Sequence, residues 1–99
     1  MNPIFRQGDV ILMPTTAKIS GDKLPHLTLA EGEVTGHRHQ IIDGIAELYE
    51  RDGVLYLKVL SPTARLSHEE HHEIDIPQGE WQIRIQREYA PEGWRYVAD

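Results

Sequence analysis

Apolar and polar residues alternate in short runs along most of the chain, and the runs end at glycine, proline or aspartate. A period of two is that of a strand with one face buried, so the pattern predicts β structure almost throughout and no helix. Asp9-Val10-Ile11-Leu12-Met13 is a short apolar run stopped by Pro14, which suits a buried strand. Thr15 to Pro25 carries Ser20-Gly21-Asp22 and a closing proline, all turn chemistry, and is expected to be a loop. Leu27-Thr28-Leu29-Ala30 alternates as a strand, and Glu31-Gly32-Glu33 reads as a turn or bulge. Val34 to Ile42 reads as a strand kinked at Gly36. Because side chains alternate across a strand, His37, His39 and Ile41 would share one face and Arg38, Gln40 and Ile42 the other.

Asp43-Gly44 is a turn signal. Ile45–Tyr49 and Val54–Leu60 flank Arg51-Asp52-Gly53, the clearest hairpin in the chain, since Asp-Gly accepts the positive φ of such turns. Leu55, Leu57 and Val59 would form an apolar face in its second arm. Ser61-Pro62 is expected to break that arm, with Thr63–Ser67 following as a short strand. Ile74-Asp75-Ile76 alternates, Pro77-Gln78-Gly79 reads as a turn, and Trp81, Ile83 and Ile85 predict one buried face. Pro91-Glu92-Gly93 turns the chain into a last strand, Trp94–Val97. About eight short strands at near-ten-residue spacing predict an all-β domain over residues 1–99, a small β-barrel or β-sandwich.

Composition narrows the chemistry. The absence of cysteine excludes disulfides, zinc–thiolate sites and iron–sulfur clusters, so any metal must be held by nitrogen and oxygen. The formal charge of −6 argues against a general grip on nucleic-acid backbone. With no apolar leader and no run near the ~20 residues that span a bilayer, a cytoplasmic protein without membrane contact is expected.

Five of the six histidines fall in two windows, Gly36-His37-Arg38-His39 and His68-Glu69-Glu70-His71-His72-Glu73. Neutral imidazole is the commonest protein ligand for transition metals. On a strand, His37 and His39 point the same way and can tilt onto a shared ion. If 68–73 is extended, His68 and His72 share a face with Glu70. If it forms a helical turn, His68, His71 and His72 lie together. The sequence leaves open which of His71 and His72 joins the set. Glu69, Glu70 or Glu73 would serve as further ligand, general base or orienting carboxylate, with Glu70 the favoured proton carrier. The expected cofactor is a divalent transition metal: zinc, nickel or iron. The competing reading makes both windows solvated turns in which His and Glu are ordinary surface residues.

The segment Gly32 to His39, Gly-x4-His-x-His, resembles the first motif of the cupins, with Asp43 near the place of that motif's carboxylate. Pro77-x-Gly79 resembles part of their second motif, although Gln82 stands where a histidine belongs and the histidines precede the Pro-x-Gly. The resemblance implies a small β-barrel with a divalent metal inside and leaves oxygenase, isomerase or acid- and sugar-binding roles open. His68 to Tyr89 is also similar to a segment of small uncharacterised bacterial and phage proteins.

A non-catalytic module with a structural metal site is the alternative to an enzyme. A small-molecule substrate and a homodimer are candidate partners. Arg38, Arg84, Arg87 and Arg95 with Tyr89, Trp94 and Tyr96 sketch a surface that could stack on single-stranded nucleic acid, but alternation alone explains it and the acidic total makes nucleic acid an unfavoured partner. Ser67 beside His68 lacks a nucleophile-elbow pattern, and no phosphate-cradling glycine loop is present.

Overall fold

A computed structural model describes residues 3–16, 18–32, 34–90 and 93–96, with 87–90 and 93–96 described as backbone. The described residues are all-β. Ten strands form: β1 (Phe5–Gln7), β2 (Val10–Pro14), β3 (Asp22–Lys23), β4 (Thr28–Glu31), β5 (Arg38–Asp43), β6 (Ala46–Arg51), β7 (Val54–His68), β8 (His71–Ile85), β9 (Arg87–Ala90) and β10 (Gly93–Tyr96). The first eight make one curled sheet, a half-barrel ordered β1-β2-β8-β7-β5-β4, with β6 on β7 and β3 on β6; β9 and β10 pair as a separate hairpin.

The Asp-Gly hairpin forms where its chemistry places it. Asp52 and Gly53 have φ of 52° and 78°, and Arg51 pairs with Val54. Leu57 and Val59 are buried from this arm, with Leu55 partly so. They meet Val10, Leu12, Leu48, Leu66, Ile76, Trp81 and Ile83 in the core. Each fully buried leucine here contributes roughly 1.5–3 kcal/mol. Trp81 donates its indole N–H to Pro77 O at 3.0 Å and meets Phe5 edge-on, ring centres 5.4 Å apart.

Three expectations are corrected. Ser61-Pro62 does not end the strand, and Pro77-Gln78-Gly79 is not a turn: β7 and β8 each run 15 residues through these positions. The irregularity appears as a bulge. Val59 pairs with Gly79 and Thr63 with Pro77, so β7 takes four steps where β8 takes two. Surplus residues on one strand bend the pair, and Gly79 bends with it at φ +143°. Proline is tolerated at such a bulge because no ladder N–H is demanded of it. Second, the 15–25 segment contains a short strand, β3, whose Asp22 and Lys23 pair with Glu50 and Tyr49. Third, Val34–Gly36 is a turn, with Gly36 at φ +72°, and β5 begins only at Arg38.

The bulge decides where the second histidine window goes. Before it, β7 pairs with β6; beyond it, β7 pairs with β5 through Gln40↔Ser67 and Ile41↔Leu66. The far end of the β7–β8 hairpin is thereby delivered beside the start of β5.

Candidate functional site

Gln40 faces Ser67, so one step along the antiparallel ladder places His39 beside His68. The second window is neither a simple extended run nor a helical turn. It is a hairpin tip: His68 pairs with His71 across a two-residue Glu69-Glu70 turn. Opposed residues at a strand pair project to one side, and this puts His71, not His72, with the others. Ring centres are 4.2 Å apart for His39–His68, 4.6 Å for His68–His71, 5.9 Å for His39–His71 and 5.5 Å for His37–His68. His37 sits just ahead of β5, held by its N–H donating to Thr35 Oγ1 and its carbonyl accepting from Gly32 N. His72 is exposed and makes no ring contact with the set among the described residues.

Two residues that the sequence reading did not single out complete the cluster. Gln7, 3% exposed, donates from Nε2 to Leu66 O at 3.0 Å and to His72 O at 2.9 Å, while its Oε1 lies 2.9 Å from His39 Nδ1. One glutamine thus ties β1 to β5, β7 and β8 and closes the curl of the sheet. Asp9, 6% exposed, turns its carboxylate inward from the Gly8-Asp9 turn, with Oδ1 3.3 Å from His39 Nε2. Gly8 at φ +59° takes the first turn position, as a two-residue II′ hairpin requires, and Asp9 O accepts from Gln86 N at 2.8 Å. The signal for both residues was a polar Gln-Gly-Asp turn ahead of an apolar run; burial of its two polar side chains depends on tertiary closure.

These contacts set the protonation pattern of the rings. Both amide hydrogens of Gln7 go to carbonyls, so its oxygen must accept, and His39 carries its proton on Nδ1. Nε2 of His39 then faces the Asp9 carboxylate. His68 Nδ1 accepts the Glu70 N–H at 3.0 Å, which places a neutral ring's proton on Nε2. As arranged, His68 is a donor packed among the others. His37 Nδ1 lies 2.7 Å from Glu70 Oε1, a close charge approach rather than an aligned hydrogen bond. That carboxylate favours the Nδ1 proton and leaves Nε2 for other use. Glu70 therefore stands in the orienting position beside His37. Glu69 instead accepts the Arg38 N–H at 3.1 Å; that bond first, with its own backbone N–H and the nearby His37 and His68, holds its carboxyl below the usual range against the opposing effect of burial. Glu73 lies 3.9 Å from Arg65, on the outer face.

His39 is fully buried and His68 nearly so, whereas the side chains of His37 and Glu70 are 29% and 52% exposed. The cluster thus runs from the interior to one solvent-facing flank. Among the described residues, no three His, Asp or Glu side chains already converge on one point as a metal ligand set; the rings lie partly face to face, His39 and His71 within 21° of parallel.

The other expected features are scattered. Asp43 caps its own bend by accepting from Gly44 N at 2.9 Å. Gln82 lies in mid-β8 opposite Met13 and Tyr56. Arg38 is paired with Glu31 at 2.8 Å, and Arg84 is exposed on β8. The side chains of Arg87, Tyr89, Trp94, Arg95 and Tyr96 lie outside the described residues. Lys23 is tied to Glu47 at 2.9 Å. No described helix is long and apolar enough to cross a membrane.

Fold and site together define a curled all-β domain whose interior end gathers four imidazoles, a carboxylate and a carboxamide. The chain belongs to the DUF8820 family, a domain of unknown function whose model matches residues 6–86. That span holds every residue of the cluster and stops before β9. No curated protein and no solved structure matches the chain.

Proposed function

We propose that this protein is a small divalent-metal-binding β domain, with His37, His39 and His71 as imidazole ligands and zinc, nickel or iron as the ion. One observation carries the reading: four histidines from two separate chain segments are packed ring against ring at one end of the sheet. Two imidazoles sharing an ion at ~2.0–2.1 Å have ring centres roughly 4.5–5.5 Å apart. Between the proposed ligands His39 and His71 the ring centres are 5.9 Å apart, a little beyond that range. The ligand atoms need to turn toward a common point, and histidine χ2 is a broad torsion that allows it. His68, whose Nδ1 is engaged by the turn, packs among the ligands as a donor.

Metal content of the purified chain, measured by elemental analysis before and after incubation with zinc, nickel or iron(II), tests the reading. About one ion per chain is expected in the wild type and a loss of uptake in His37→Ala/His39→Ala. A wild type that takes up none of the three metals refutes it.

A second reading, a metal-dependent enzyme of cupin-like kind, is favoured by the solvent-facing flank at His37 and Glu70. There a small molecule could reach the ion and Glu70 could carry a proton. A small anion such as azide that perturbs the spectrum of the cobalt-loaded chain separates an open ion from a closed structural one.

A further inference from the structure

The geometry points to a second site, independent of the metal reading: a groove between residues 23–27 and β6 that binds a small carboxylic acid through Lys23 and His26. The groove encloses about 240 Å³, and none of the histidine cluster's residues lines it. It forms because Lys23 pairs with Tyr49 and Leu24 N donates to Leu48 O at 2.8 Å, which lays the segment against β6. Leu24, Leu27 and Ala46 line it. All three pack on the core yet are only partly buried, so they leave apolar surface to the groove.

The polar rim supplies the charge preference. Lys23 Nζ donates to Glu47 Oε2 at 2.9 Å, and an ammonium carries three hydrogens, so two are left without a partner among the described residues. The bond to Glu47, with that carboxylate's charge, raises the Lys23 pKa above its ordinary 10.5, and the group is charged at neutral pH. His26 Nδ1 accepts the Thr28 N–H at 3.1 Å, so the proton of a neutral ring is on Nε2, a further donor. Glu47, the groove's carboxylate, already accepts at both oxygens, from Lys23 and from Tyr49 OH at 2.8 Å. With its carboxylate shared between two donors and its cation holding two free hydrogens, the groove favours an anion. The volume is below the ~300–1,000 Å³ of sites for drug-sized ligands. A carboxylate on a short branched alkyl chain matches both the donors and the apolar lining.

Sodium 3-methylbutanoate is the probe, titrated into the full-length nitrogen-15-labelled chain at neutral pH and followed through the backbone amides by NMR. Saturable shifts are expected at Leu24, His26, Leu27, Ala46 and Leu48, with a Kd of ~1–10 mM for so small a ligand on an open groove. The uncharged 3-methylbutanamide, of nearly the same shape, is expected to bind at least threefold more weakly. Lys23→Met, which keeps the length of the side chain and removes its charge, is expected to weaken the acid by threefold or more, while Lys18→Met, at another exposed lysine, matches the wild type. Shifts that do not saturate or that fall outside the groove, an amide that binds within threefold of the acid, or a Lys23→Met variant within threefold of the wild type overturns the assignment. Should Lys23→Met lose the native spectrum, the comparison of acid with amide on the wild type decides.

Discussion

Gln7→Leu tests the closure of the sheet. Leucine has nearly the volume of glutamine and none of its polar atoms. The substitution strips two acceptors, Leu66 O and His72 O, and one donor, His39 Nδ1–H, of their partner. An orphaned buried polar group costs ~1–3 kcal/mol. Leu66 O and the Nδ1–H of fully buried His39 bear that cost; His72 O is only partly buried and regains water. Taking about 2 kcal/mol for each of the two buried groups gives ~4 kcal/mol, and burial of the leucine returns about 1 kcal/mol. The net loss is ~3 kcal/mol, a large share of the ~5–15 kcal/mol of a domain this size. At ~4–8 °C per kcal/mol, Tm falls by roughly 12–24 °C. Urea unfolding followed by tryptophan fluorescence measures the loss, with the slope m checked for constancy. A loss below ~1 kcal/mol would refute the role given to Gln7, because the three acceptor and donor atoms would have found other partners at little cost.

Gly44→Ala is expected to destabilise by ~1–3 kcal/mol in the same assay: φ is +93°, and a Cβ there would stand 2.5 Å from Thr63 O and 2.8 Å from Ala64 Cα, both backbone. Gly53→Ala, at φ +78° with nothing within 4 Å, carries only the left-handed penalty of ~1–2 kcal/mol; a larger loss there than at Gly44 would contradict the packing described for the 43–45 bend. Glu47 accepts from Lys23 at 2.9 Å and from Tyr49 at 2.8 Å, and these bonds, Lys23's first, hold its carboxyl below the ordinary 4.5. A depressed carboxyl contributes stability above its unfolded value that is lost as pH falls through the folded one. Wild type should therefore exceed Glu47→Gln in thermal stability at neutral pH, by a small margin because the pair is exposed, and the curves should merge in acid; a gap that widens in acid would reverse the assignment.

How much of this was legible in the sequence depends on the range of the forces involved. The Asp52-Gly53 hairpin and the buried face of Trp81, Ile83 and Ile85 are local, set by turn chemistry and a period of two, and they form where the pattern puts them. The path of β7 and β8 through Ser61-Pro62 and Pro77–Gly79 was not legible, because a proline reads locally as a stop and only the partner strand reveals a bulge. The gathering of His37, His39 and His68 was an expectation of shared chemistry that cross-strand register fulfils in space. The choice of His71 over His72 needed the two-residue turn at Glu69-Glu70, which neither an extended nor a helical reading of that window supplies. Gln7 and Asp9 were out of reach: 32 and 30 positions separate them from His39, and nothing in a Gln-Gly-Asp turn announces that its side chains face inward.

The most direct measurement of the central claim is anomalous diffraction at the zinc edge from crystals grown with one equivalent of zinc. A single strong peak is expected among His37, His39 and His71, within ~2.0–2.2 Å of imidazole nitrogen. A map with no peak there, or with zinc held only at surface carboxylates or His72, would contradict it.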